Sequence, residues 1–124
     1  MAMQLHKALI IDDDKDVCFL LEKALSINHI TAATANNLHE ARHCLQEVKP
    51  ALVLLDNNLP DGMGIDFIKQ IRAFDKTIKI IMITGDAQDG LKEEAIFRGA
   101  HKFLHKPFDL KTVLTEVEDL MINV

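Results

Sequence analysis

Four apolar runs in this chain each stop at a polar residue, and that repeated ending narrows the folds open to it. Ala8-Leu9-Ile10-Ile11 gives way to Asp12-Asp13-Asp14, Ala51-Leu52-Val53-Leu54-Leu55 to Asp56, and Ile80-Ile81-Met82-Ile83 to Thr84. A weaker fourth run, Phe103-Leu104-His105, reaches Lys106-Pro107. Short continuous apolar runs are the pattern of strands buried on both faces. If all four lie parallel in one sheet, their C-terminal ends share an edge, and open α/β sheets bind ligands just outside that edge. Asp12, Asp13, Asp56, Thr84 and Lys106 then meet in one cleft.

The segments between the runs read as helices and one further strand. Asp14 can cap a helix that carries Val17, Phe19-Leu20-Leu21, Ala24-Leu25 and Ile27 at roughly helical spacing. Residues 30–35 are β-branched and alanine-rich, as in a strand. Asn36 or Asn37 can cap a second helix with Leu38, Ala41, Leu45 and Val48 on its inner side. The stretch Asn57-Asn58-Leu59-Pro60-Asp61-Gly62-Met63-Gly64 is dense in turn formers, and Ile65, Ile68 and Ile71 continue into a third helix. Gly85-Asp86-Ala87 leads into a fourth helix that reaches about Arg98, where Gly99 ends it. Pro107-Phe108-Asp109 opens a last helix with Leu110, Val113-Leu114, Val117 and Leu120-Met121 inward. Strand and helix thus alternate five times, which implies right-handed crossovers and helices on both sheet faces. The expectation is a single α/β domain over residues 1–124.

Length and charge then exclude several roles. A chain of 124 residues can bury a substantial core. Its net charge of −5 argues against direct nucleic-acid binding, which needs a basic face to meet phosphates. Ala8 to Ile11 is far too short for a signal peptide, and nothing approaches the ~18 apolar residues of a membrane span, so the expectation is a cytoplasmic protein. Cys18 and Cys44 form neither a disulfide framework nor a metal-binding pair and read as buried, reduced thiols. His39 and His43, four apart on the second helix, read as a solvated face for want of a third ligand.

Three carboxylates at one strand edge pose an electrostatic problem. Two unit charges ~4 Å apart repel by roughly 4 kcal/mol at an effective dielectric near 20. Three anions therefore protonate, splay or bind a cation. Oxygen ligands in an open cleft suit Mg²⁺, which keeps waters and takes substrate phosphate. Lys106 adds a fixed positive charge and Thr84 a hydroxyl. A carboxylate to attack, a hard cation, a lysine and a hydroxyl are the parts phosphoryl transfer uses.

The set Asp12-Asp13, Asp56 followed by Leu59-Pro60 and Gly64, Thr84-Gly85, and Lys106-Pro107-Phe108 resembles the receiver domain of two-component response regulators. The resemblance spans essentially the whole chain. It implies a flavodoxin-like (βα)5 three-layer sandwich with a five-stranded parallel sheet of order 2-1-3-4-5. It further implies that Asp56 accepts a phosphoryl group from a phosphohistidine on a histidine kinase or phosphotransfer protein, that Asp13 binds Mg²⁺ directly, and that Asp12 assists partly through water. The Asn58 backbone carbonyl would join the metal, and Thr84 and Lys106 would bind phosphoryl oxygens. A cis Lys106-Pro107 bond and a rotating aromatic switch at Phe103 belong to the same pattern. So does a face made by the fourth helix, fifth strand and fifth helix, which changes shape, pairs two copies and controls an output domain or downstream protein.

The chain also departs from commoner members. Phe103 replaces a frequent tyrosine, His101-Lys102 stands where many DNA-binding regulators carry acids, and Asp86 adds an anion near the cleft mouth. Asn58 and Asp86 are expected to tune hydrolysis of the acyl phosphate. Two rival readings compete. A haloacid-dehalogenase-like phosphatase would need an acid two residues after its nucleophile, and Asn58 stands there. A docking module that works without phosphorylation would have no need of the acids, hydroxyl and lysine together. The favoured reading is a signalling switch and not a conventional enzyme.

Overall fold

A computed structural model of the chain describes residues 7–85 and 88–122. The main sheet is built of β1 (Lys7–Ile11), β2 (Thr31–Ala35), β3 (Leu52–Leu55), β4 (Lys79–Thr84) and β5 (Lys102–His105). The helices are α1 (Lys15–Ile27), α2 (Leu38–Val48), α3 (Gly64–Phe74), α4 (Leu91–Arg98) and α5 (Leu110–Ile122). All five strands are parallel in the order β2-β1-β3-β4-β5, the flavodoxin-like (βα)5 arrangement.

Side chains alternate across the sheet, so each strand feeds two cores. Leu9, Ile11, Val53, Leu55, Ile80 and Met82 pack under α2, α3 and α4. Ala8, Ile10, Leu52, Leu54, Ile81 and Ile83 pack under α1 and α5. Both sets are buried, which is why the strands read as unbroken apolar runs rather than alternating ones.

The structure changes several details of the sequence reading. The fourth helix does not follow Ala87 directly; it starts at Leu91. Gly90 at its N-cap has a φ of +83°, a left-handed conformation that no helical residue adopts, and the Leu91 amide closes a turn on the Gln88 carbonyl. The turn-rich stretch after Asp56 contains a two-rung antiparallel hairpin, Asn58–Leu59 with Gly62–Met63. The apolar count of α1 overstates its inner face, because Phe19 and Ile27 face solvent. Cys18 is buried as expected, but Cys44 is only half-buried beside the α2 core. Among the described residues no helix is long and apolar enough to cross a membrane.

Candidate functional site

The site begins where the sheet ladder runs one residue past its strands. The Asp12 amide donates to the Ala35 carbonyl at 3.0 Å, the Asp56 amide to Ile11 at 2.9 Å and the Lys106 amide to Thr84 at 2.9 Å. These bonds fix the main chain of three candidate residues to the rigid sheet, so their side chains emerge at one edge. Asp12 and Asp56 are buried, at 2% and 5% exposure, whereas Asp13 is exposed. One carboxylate oxygen from each of the three lies within 4.8 Å of the others. The Lys106 Nζ reaches Asp12 Oδ2 at 2.8 Å and Asp56 Oδ2 at 3.2 Å, so it bridges the two buried acids.

Burial pushes the Asp12 carboxyl above the ordinary carboxylate range; hydrogen bonds from Lys106 and the Asp14 amide oppose this, and the Asp56 charge reinforces it. Burial works against the Lys106 ammonium, yet Asp12 and Asp56 outweigh it, so Lys106 titrates above an ordinary lysine. An acidic set of oxygens with two members withdrawn from water is a fitting host for a hard divalent cation. The cluster Asp12, Asp13 and Asp56 could hold such an ion.

The remaining sequence candidates fall around this cluster. The Asn58 amide approaches Asp56 Oδ1 at 3.4 Å. Thr84 is fully buried at the end of β4. Phe103 is half-buried and packs against the core beneath α2, α3 and α4. The Lys106-Pro107 bond is cis. Asp86 lies outside the described residues. His101 precedes β5 and Lys102 begins it, and Lys102 pairs with Glu116, at 2.9 Å, and Asp119 of α5 within the same chain.

Several supporting residues escaped sequence reasoning. Asn57 is fully buried beside the nucleophile candidate. Its Oδ1 accepts the Ile65 amide at 3.0 Å, and its main-chain oxygen accepts the Gly64 amide at 2.7 Å, so one residue anchors the start of α3. The Asn36 Nδ2 donates to the Asp12 carbonyl at 2.9 Å. The Asp61 carboxylate accepts the Leu38 and His39 amides at 2.8 and 3.0 Å, tying the loop after Asp56 to the N-terminus of α2. Capping chemistry was the available signal, since Asn and Asp crowd these loops, but the partners are distant in sequence.

The profile of the response regulator receiver domain matches residues 8–118. The transcriptional regulatory protein KdpE of Staphylococcus aureus is 36% identical over 104 residues, which is 84% of this chain and 45% of KdpE. The chain therefore spans less than half the length of that relative. The chemotaxis protein CheY of Listeria monocytogenes is 34% identical over 113 residues, or 90% of this chain and 95% of CheY. Among solved structures, the beryllofluoride-activated NtrC4 receiver domain dimer superimposes with a TM-score of 0.88 at 29% identity, over 94% of this chain and 97% of that one.

Proposed function

Because the chain belongs to the response regulator receiver domain family, we propose that it is a phosphorylation-activated switch whose Asp56 accepts a phosphoryl group from a phosphohistidine. The donor is a cognate histidine kinase or phosphotransfer protein. The observation that carries this reading is the bridging of the two buried acids Asp12 and Asp56 by Lys106, beside a third carboxylate from Asp13.

In the transfer, an Asp56 oxygen attacks phosphorus and the phosphorus–nitrogen bond breaks. Its electron pair returns to the imidazole, leaving an acyl phosphate on Asp56. Asp12, Asp13, Asp56 and the Asn58 carbonyl would hold Mg²⁺, which would neutralise charge on the transferring group. Lys106, already 3.2 Å from Asp56, follows the phosphoryl oxygens, and the Thr84 hydroxyl donates to another. Asn58 and Asp86 tune hydrolysis of the acyl phosphate.

Phosphorylation adds charge and acceptor oxygens at position 56, and only their unequal interaction with two conformations can shift the population. Thr84 moves toward the phosphoryl group, Phe103 turns into the space left, and the α4-β5-α5 face changes. That face contacts an output domain or downstream protein and pairs two copies. The NtrC4 dimer, a relative in its activated form, supports the pairing. Such a switch works in the cytoplasm, alongside its kinase.

The test is incubation with acetyl phosphate and Mg²⁺, read by intact mass. One phosphoryl group per chain is expected, absent from Asp56→Asn and not formed when Mg²⁺ is chelated beforehand. Steady multiple turnover of a phosphomonoester, or equal labelling of the variant, would overturn the reading.

A further inference from the structure

We propose that His39 and His43 on α2 form a second metal site, one that takes a late transition-metal ion and is chemically separate from the acidic cleft. The two residues are four apart on one helix, so their side chains share a face. Both are exposed, and their ring centroids stand 5.0 Å apart with the planes 79° from each other. Two imidazoles on one tetrahedral ion, with metal–nitrogen bonds of about 2.0–2.1 Å, hold their centroids about 5 Å apart. The pair therefore stands at a centroid spacing compatible with shared ligation. Among the described residues, no hydrogen bond engages either ring.

The surroundings favour a cation. Glu40 and Glu47 lie on the same helix. The nearest basic residue in sequence, Arg42, is drawn away to α3, where its Nε donates to Gln70 at 2.9 Å. Water completes the shell of this two-imidazole chelate.

Ligand chemistry separates the two sites. Imidazole suits Zn²⁺, Ni²⁺ and Cu²⁺, whereas carboxylate oxygens suit Mg²⁺. An ion across His39 and His43 also staples the first turn of α2, whose Leu38 and His39 amides hold Asp61 in the loop that follows Asp56. The second site thus sits one hydrogen bond from the segment that closes the first.

The test is a calorimetric titration of Ni²⁺ into the full chain with Mg²⁺ in excess to fill the acidic cleft, paired with thermal unfolding. One equivalent should bind in the micromolar range and raise Tm. His39→Gln and His43→Gln should each weaken binding about tenfold or more, because one imidazole loses the chelate. His105→Gln should bind as wild type does. Both α2 substitutions lie on an exposed face, and circular dichroism verifies their fold. Absence of binding, unchanged affinity in the two α2 variants, or loss only in His105→Gln would overturn the site.

Discussion

A side-chain carbon at position 64 would lie 2.0 Å from the main-chain oxygen of Asp56. Gly64 opens α3 at the point where the chain folds back over the candidate nucleophile, and backbone, not a flexible side chain, blocks any larger residue. Gly64→Ala should therefore push α3 off the Asp56 carbonyl. We expect a loss of about 3 kcal/mol or more, at the upper end of overpacking costs, read as a lower urea midpoint with unchanged slope. The same variant should accept phosphoryl groups poorly even where it remains folded. A midpoint within error of wild type would show that α3 shifts freely.

Lys106 carries a different burden. Its Nζ bridges two carboxylates that are almost wholly removed from water. Replacing it by Met keeps bulk but leaves Asp12 and Asp56 facing each other uncompensated. Breaking a buried pair from one side costs about 3–5 kcal/mol, and the partial exposure of Lys106 places this case at or below the lower bound. Mg²⁺ should then restore more stability to Lys106→Met than to wild type and bind it more tightly, because the competing cation is gone. Phosphoryl acceptance should nevertheless fall, since the group that follows the phosphoryl oxygens is missing. Thermal unfolding with and without Mg²⁺, beside labelling by acetyl phosphate, reads both arms. Weaker Mg²⁺ binding in the variant would contradict the assignment.

The strands and the edge they share were legible because burial on both faces leaves an unbroken apolar signature, and each run ends where the sheet does. Leu52 to Leu55 and the following Asp56 are the clearest case. The scaffold that closes the site was not legible. Asp61 caps a helix that begins 23 residues earlier, and Asn57 supports one that begins seven residues later. Neither partner can be chosen from composition, because every Asn and Asp in a turn is a potential cap. The start of α4 failed for a related reason. Gly85 and Gly90 both mark breaks, and only backbone conformation shows that Gly90 is the cap.

His101 supplies a pH dependence with a definite sign. Its main-chain amide donates to the Ile80 carbonyl at 2.8 Å, and its Nδ1 accepts the Ile80 amide at 3.2 Å. Partial desolvation, then the nearby Lys79 and Arg72 charges, hold the imidazole below its ordinary value of 6.5. The unfolded chain thus takes up this proton before the folded one. Stability is fully present above about pH 6.5, falls as pH drops through the window below it, and levels off once the folded histidine is charged. His101→Asn retains a side-chain acceptor without titrating. The difference in urea midpoint between wild type and variant should move against wild type from about pH 7.5 to about pH 5.5, above most of the carboxylate range. A constant difference would remove His101 from this role.

Asn57 should separate support from chemistry. Asn57→Ala deletes the acceptor of the Ile65 amide but leaves the main-chain bond to Gly64. The orphaned amide lies in the buried first turn of α3, so the expected cost is about 1–2 kcal/mol, in the range of a lost cap. Among the described residues the Asn57 Nδ2 is itself buried without a partner, which makes Asn57→Asp the informative companion. The substituted carboxylate would keep the acceptor and lose the unpaired donor, yet add a fourth negative charge beside Asp12, Asp13 and Asp56. That variant should be less stable than wild type without Mg²⁺ and recover more stability as Mg²⁺ is added, whereas Asn57→Ala should show the same loss at every Mg²⁺ concentration. If the alanine variant also lost Mg²⁺ affinity out of proportion to its stability, Asn57 would position the acidic cluster as well as α3, and the division of labour between loop and site would have to be redrawn.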